Sequence, residues 1–250
     1  MSFAALMLFG LQLGGVGHAV LAAAVLGAFA IDRALGKDLT LIAVGIAIVS
    51  MTSVEADLAW PRFITIGTVL TLAVTVPFLL DRYVYRRRAI RFPWRSGRKW
   101  PRWEKTYLIL VPFLGWLILP FYFIRSGAYL NWPDIDDRSE LIRFFVGVNA
   151  VGTWDELFFI CTCFALLRRH FPLWQANILQ AVIFVSFLWE LGYREWGPFL
   201  TAPFALLQGF IFTRTRSLTY VLIVHLLFDV VVFLSILHAH HPDRLSIFVY

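Results

Sequence analysis

Charge is what this sequence has least of. Only 15% of its 250 residues are Asp, Glu, Lys or Arg, against about 25% in an average soluble domain. That is too little to cover a water-exposed surface. The same scarcity excludes a disordered chain and a charged coiled coil. Cysteine is nearly absent, which excludes a disulfide scaffold. The two cysteines, Cys161 and Cys163, lie in an apolar run with a spacing that suits no zinc knuckle, and read as buried free thiols. No repeat, low-complexity tract or flexible linker splits off a soluble domain. What the chain does have is apolar residue: 60% of the total, with 17% aromatic and a mean hydropathy of +0.74. It reads as an all-α, polytopic membrane protein.

A transmembrane helix needs about 20 mostly apolar residues. Eight stretches are candidates: Ala4 to Ile31, Leu39 to Val54, from beyond Pro61 to Leu80, Tyr107 to Ile124, Leu141 to Leu167, Trp174 to Leu191, a short one from Phe199 to Phe212, and Tyr220 to Leu237. The first lacks a basic leader and a small-residue cleavage site, so it reads as a span rather than a signal peptide. Pro198 and Pro203 are expected to shorten or bend the seventh helix and so open a path for substrate. Other prolines, such as Pro77, Pro112 and Pro120, are tolerated where neighbours satisfy the freed carbonyls.

Direction follows from charge. The segment Arg82 to Lys105 is densely basic, and short loops rich in Lys and Arg stay in the cytoplasm. Alternation then puts Arg33 and Lys37, Arg168 and Arg169, and Arg214 and Arg216 inside. Asp134, Asp136 and Asp137 fall outside with His238, His240 and His241, and both termini lie outside the cytoplasm. The net charge of +6 therefore reports topology rather than nucleic-acid binding. Trp94, Trp100 and Trp103 within the basic loop suit the lipid headgroup layer, and clustered Arg attracts anionic lipid. An acidic partner could use the same patch.

The two halves differ. Residues 1–140, holding spans one to four and the basic loop 82–105, carry almost no charge within their spans. Residues 141–238, holding spans five to eight, do. A charge near the bilayer centre costs about 2.5–3.5 kcal/mol on insertion scales, so such residues face the bundle interior and mark function. Asp155 and Glu156 sit mid-span. Neighbouring helical positions point about 100° apart, so one is expected to line a site while the other pairs elsewhere. Their mutual repulsion favours holding a proton, as acid–base chemistry requires. His225 and Asp229 are four apart and share a helix face. Glu190 closes the sixth span. His18, beside Gly14, Gly15 and Gly17, reads as a packing histidine. A purely structural set of buried ion pairs would account for the same residues.

With these motifs in place, the chain resembles the CPBP family of intramembrane proteases, which includes Rce1-like CAAX prenyl endopeptidases and bacteriocin-processing or immunity proteins. The resemblance covers roughly Leu141 to Leu237. Asp155-Glu156-Leu157-Phe158-Phe159-Ile160 looks like the family's Glu-Glu-x-x-x-Arg, and His225-Leu226-Leu227-Phe228-Asp229 matches its His-x-x-x-Asn/Asp. The second motif, Phe-x-x-x-His, falls on Ser186 and Glu190. The resemblance implies that Asp155, with residue 190, activates the attacking water, and that His225 and Asp229 stabilise the oxyanion. Ile160 replaces the motif Arg, and no histidine stands in the second motif.

Two readings follow: a divergent endopeptidase cutting a membrane-associated protein or peptide, or an inactive scaffold or immunity-type protein bound to another membrane protein. The kept acidic pair and His-x-x-x-Asp favour the first, the missing Arg and His the second. A third reading puts a divalent metal on Glu156, Glu190, His225 and Asp229. A two-halved transporter fits worse, because the halves differ in charge pattern. Depth bears on all of these: His225 lies nearer the cytoplasmic end of its span and Glu190 nearer the outer end, which argues against one shared site.

Overall fold

The computed structural model describes residues 1–244, 247 and 248, and among these there is no β-strand. Two short N-terminal pieces come first: α1 (Ser2–Ala5) and a π-helical turn, Leu6–Gly10. The long helices follow: α2 (Gly14–Ile31), α3 (Arg33–Val49), α4 (Trp60–Leu79), which runs on as a π-helical turn to Val84, and α5 (Arg102–Ser126). Next is α6 (Arg138–Asp155), continued by a π-helical stretch, Glu156–Phe164, and by α7 (Ala165–Leu167). The chain closes with α8 (Leu173–Leu191), α9 (Gly197–Thr215) and α10 (Leu218–His240).

Local chemistry sets the helix ends. Asp32, Asp137 and Ser217 each accept a backbone N–H three residues on, at 2.8, 2.8 and 3.3 Å, satisfying donors that a helix start leaves free. Gly127 ends α5 with φ 74°, the left-handed cap that glycine adopts without penalty. Along the outer face of α4, Thr65, Thr68, Thr71 and Thr75 donate to carbonyls one turn back at 2.7–2.8 Å. Their hydroxyls therefore ask nothing of lipid.

Five helices are long and apolar enough to cross a membrane: Gly14–Ile31, Trp60–Val84, Arg102–Ser126, Arg138–Leu167 and Leu218–His240. α3, α8 and α9 are helical where spans were expected but do not reach that length and hydropathy.

Two expected elements differ. The stretch from Ala4 to Ile31 is not one helix. It breaks at residues 11–13, where Gln12 takes φ 56°, ahead of the helix-weakening pair Gly14 and Gly15. The leading piece packs on α8: Ser2 Oγ donates to Leu179 O at 2.8 Å, and Phe9 meets Phe187 edge-on at 6.2 Å. The N-terminal residues thus sit part-way along α8 rather than at either end of the bundle. The seventh span, α9, is not shortened. It runs without interruption for 19 residues with Pro198 in its first turn and Pro203 inside. A first-turn proline gives up an N–H that had no partner, so the expected path through a broken helix loses its basis.

The loops gather at two poles. At one, Asp38 receives Arg87, Arg169 and His170, each at 2.7 Å, and Leu218 N donates to Pro93 O at 2.8 Å. The loops before α3, after α4, after α7 and before α10 thus share the basic end. At the other, Arg194 pairs with Glu55 at 2.7 Å, Arg143 donates to Leu58 O at 2.7 Å, and His241 contacts Ile135 O at 2.9 Å. The main apolar core runs through the bundle, from Ala4 to Phe248, with a smaller buried cluster around Tyr220 and Val224. His18 binds Ser50 Oγ at 3.0 Å, joining α2 to the end of α3. Cys161 and Cys163 are free and buried.

Candidate functional site

The site begins where α6 widens. From Glu156 to Phe164 the helix is π-wound, a rare geometry that concentrates at functional sites. Aromatic packing holds it there. Trp154 stacks on Phe158 at 5.0 Å and meets Phe187 at 4.9 Å, while Phe159 abuts Phe184 at 5.0 Å. The Phe158 ring fills the space that a Cβ at Gly45 would need.

The altered winding delivers both acids to one imidazole. Glu156 Oε1 lies 2.7 Å from His225 Nδ1. On the other edge of the ring, Nε2 is 3.7 Å from Asp155 Oδ2 and 3.8 Å from Asp229 Oδ1. All four side chains are buried. Glu156 Oε1 also accepts from Gln208 Nε2 on α9 at 2.6 Å. That amide's second contact is Val221 O at 3.2 Å. Phe204 lies edge-on to the imidazole at 5.0 Å. The ring is thus pinned through Nδ1, with Nε2 turned to the carboxylates of Asp155 and Asp229. A hydrogen-bonded carboxylate fixes an imidazole's tautomer in this way.

Asp155, His225 and Asp229, but not Glu156, line a cavity of about 270 Å³. Asp155 thus faces the cavity and Glu156 lies behind the ring, but the two acids do not go separate ways as expected: both reach the His225 imidazole. The cavity walls are mostly apolar, drawn from α4, α6, α8, α9 and α10. It extends to Trp132, Tyr193 and Asp57, at the pole away from the basic loop. Between α4 and α6, Gly67, Val146 and Ala150 line the cavity and are also exposed on the flank of the bundle. Gly152 lets α6 and α10 approach. A Cβ there would collide with Asp229 Oδ2 and lie 3.2 Å from His225 Cδ2. Burial holds the Tyr193 phenol above its ordinary pKa, and the nearby charge of Asp229 adds to this, so the cavity wall keeps a neutral O–H.

Residues 137–231, from the N-cap of α6 into α10, match the family model described as type II CAAX prenyl endopeptidase Rce1-like. This segment is Rce1-like. No curated protein and no solved structure matches the chain.

Within the Rce1-like segment the structure separates the five expected site residues. Asp155, Glu156, His225 and Asp229 converge. Glu190 does not join them. It accepts from Val54 N at 3.2 Å and lies beside Gln12 and Ser53, tying α8 to the N-terminal half. The reason is helix rotation. The face of α8 on the cavity carries Phe184, Leu188 and Leu191, and Ser186 and Glu190 lie off that face. Ser186 bonds back to Val182 O at 2.7 Å. With Glu190 elsewhere, the expected metal set of Glu156, Glu190, His225 and Asp229 does not form. Among the described residues no group of three or more His, Cys, Asp or Glu is disposed to hold a metal ion.

Gln208 was missed by sequence reasoning. Its signal was available: an amide in the middle of an apolar span needs a partner as a charge does. Gln180, fully buried on α8, is a second such residue. It donates to Ala205 O at 2.9 Å and Asn177 Oδ1 at 3.1 Å, which fastens α8 to α9 beside the site.

Proposed function

We propose that this protein is an intramembrane endopeptidase of the Rce1-like type, hydrolysing a peptide bond in a membrane-associated polypeptide. The observation that carries the reading is the convergence of Asp155, Glu156 and Asp229 on the His225 imidazole at the inner end of an apolar cavity. Eight crossings by α2, α3, α4, α5, α6, α8, α9 and α10, with the basic loop in the cytoplasm, complete the proposed topology. Five apolar helices and the gathering of the basic loops at one pole support it.

In the proposed reaction a water on the cavity side bridges Asp155 Oδ2 and His225 Nε2, which lie 3.7 Å apart. Asp155 takes a proton from that water, and the hydroxide adds to the scissile carbonyl carbon. Protonated His225, held through Nδ1 by Glu156, donates Nε2–H to the developing oxyanion. The tetrahedral intermediate collapses as the C–N bond breaks, and the proton on Asp155 passes to the leaving amine.

A second reading has its own observation. No histidine of α8 lines the cavity, and Ile160 stands for the motif Arg, as in an inactive scaffold or immunity-type partner. Reconstituting the chain with a single-span reporter substrate separates the two. Cleavage that disappears in Glu156→Gln and His225→Ala supports the protease. No cleavage by the unaltered chain, or cleavage that survives His225→Ala, overturns the reading.

A further inference from the structure

We propose that the cavity takes its substrate from the extracytoplasmic side, and that the substrate is an apolar or aromatic stretch of a membrane-anchored polypeptide exposed there, not a cytoplasmic tail. The inference rests on the endopeptidase reading and on the basic loop being cytoplasmic.

His225 is nearer the basic pole. It lies seven residues into α10 and fifteen from its end, about 10 Å from one end and about 22 Å from the other at 1.5 Å per residue. The shorter route is nonetheless filled. Cys161, Ile211, Leu218, Tyr220, Val221 and Val224 form one buried cluster between the polar groups and the basic loop. Tyr220 seals it, its ring against Trp100 at 5.2 Å and its hydroxyl donating to Glu104 O at 2.9 Å. A polypeptide passing that way would have to displace packed side chains.

The longer route is the cavity itself. From Asp155 and His225 it runs past Phe204, Leu188, Thr201 and Tyr193 to Asp57, whose side chain is 46% exposed. Its walls bind apolar side chains, and its few polar groups stand at the two ends. At about 3.3 Å per extended residue, the distance from mouth to acids is roughly six or seven residues. The scissile bond therefore lies that far in from the extracytoplasmic boundary of the substrate.

The test does not depend on catalysis. Single cysteines are placed by Asp57→Cys at the mouth, Leu188→Cys inside the cavity and Arg88→Cys in the basic loop. Each full-length chain, in its own membrane, is treated with a membrane-impermeant maleimide, in intact cells and in inverted vesicles. The native Cys161 and Cys163 are buried and contribute little background. The expected result is labelling at 57 and 188 in intact cells and its loss in inverted vesicles, with the reverse at 88. Labelling of 188 only in inverted vesicles, or from neither side, overturns the proposal. An inactive chain that labels as expected would sink the endopeptidase reading and leave the access route standing.

Discussion

Glu156 and His225 are 69 residues apart in the chain, and their side chains meet at 2.7 Å. That contact turns an intramembrane acid into the support of an imidazole. Replacing Glu156 by Gln keeps the shape but leaves Nδ1 without a charged acceptor. The expected outcome is a fall in kcat of about 10²-fold or more, the range of a general acid–base group, with KM little changed. His225→Ala should lose at least as much. Steady-state kinetics on the reconstituted chain, beside a thermal melt to show that the fold survives, is the check.

Gln208→Leu removes a hydrogen bond to the same carboxylate oxygen. A bond to a charged group contributes about 1.5–3 kcal/mol, so activity should drop by about tenfold or more. Rescue by Gln208→Asn is not expected, because the shorter side chain cannot span from α9 to both Glu156 and Val221. Activity of Gln208→Leu equal to that of the unaltered chain would mean that the amide does not act through Glu156.

Gly152 is the contact point of α6 and α10. In Gly152→Ala the new methyl meets Asp229 Oδ2, and overpacking of this kind costs about 1–3 kcal/mol. Gly147→Ala, whose methyl would lie 3.4 Å from the Phe63 ring, should be mild. Melting temperatures in one detergent compare the two. A Gly152→Ala chain as stable and active as the unaltered one would remove the close approach from the account of the site.

Glu190 is acidic and buried but sits outside the cavity lining. Glu190→Gln keeps an oxygen to accept from Val54 N and should leave kcat unchanged. A loss comparable to that of Glu156→Gln would return residue 190 to the catalytic set. The donor geometry also bears on metal dependence. With no set of three ligands among the described residues, incubation with a chelator such as EDTA is expected to leave activity intact, and restoration by added zinc or manganese would contradict that.

Asp38 is fully buried beneath Arg87, Arg169 and His170. Asp38→Ala leaves Arg169 and His170 without this acceptor, while Arg87 keeps Asp81 at 3.1 Å, at a cost of about 1–3 kcal/mol. The expected signature is a lower melting temperature with unchanged kcat in the protein that remains folded, since the cluster lies at the basic pole and outside the cavity.

Much of this architecture was written in one dimension. Hydropathy marks where helices lie, because a buried or lipid-facing helix needs no polar face. The basic segments mark which loops share an end, and Asp38, Arg87 and Arg169 meet as that grouping requires. Asp155, Glu156 and the i, i+4 pair of His225 and Asp229 stand out because charge in an apolar span must find a partner. What the sequence could not determine is rotation. α8 is apolar on nearly every side, so nothing in its pattern says whether Leu188 or Glu190 turns inward. Packing against Phe9, Trp154 and Phe159 decides that. The break at Gln12, the part played by Gln208 and the side on which the cavity opens arise in the same way. Each depends on how one helix face meets another across tens of residues of chain, and contacts of that range exist only once the bundle has assembled.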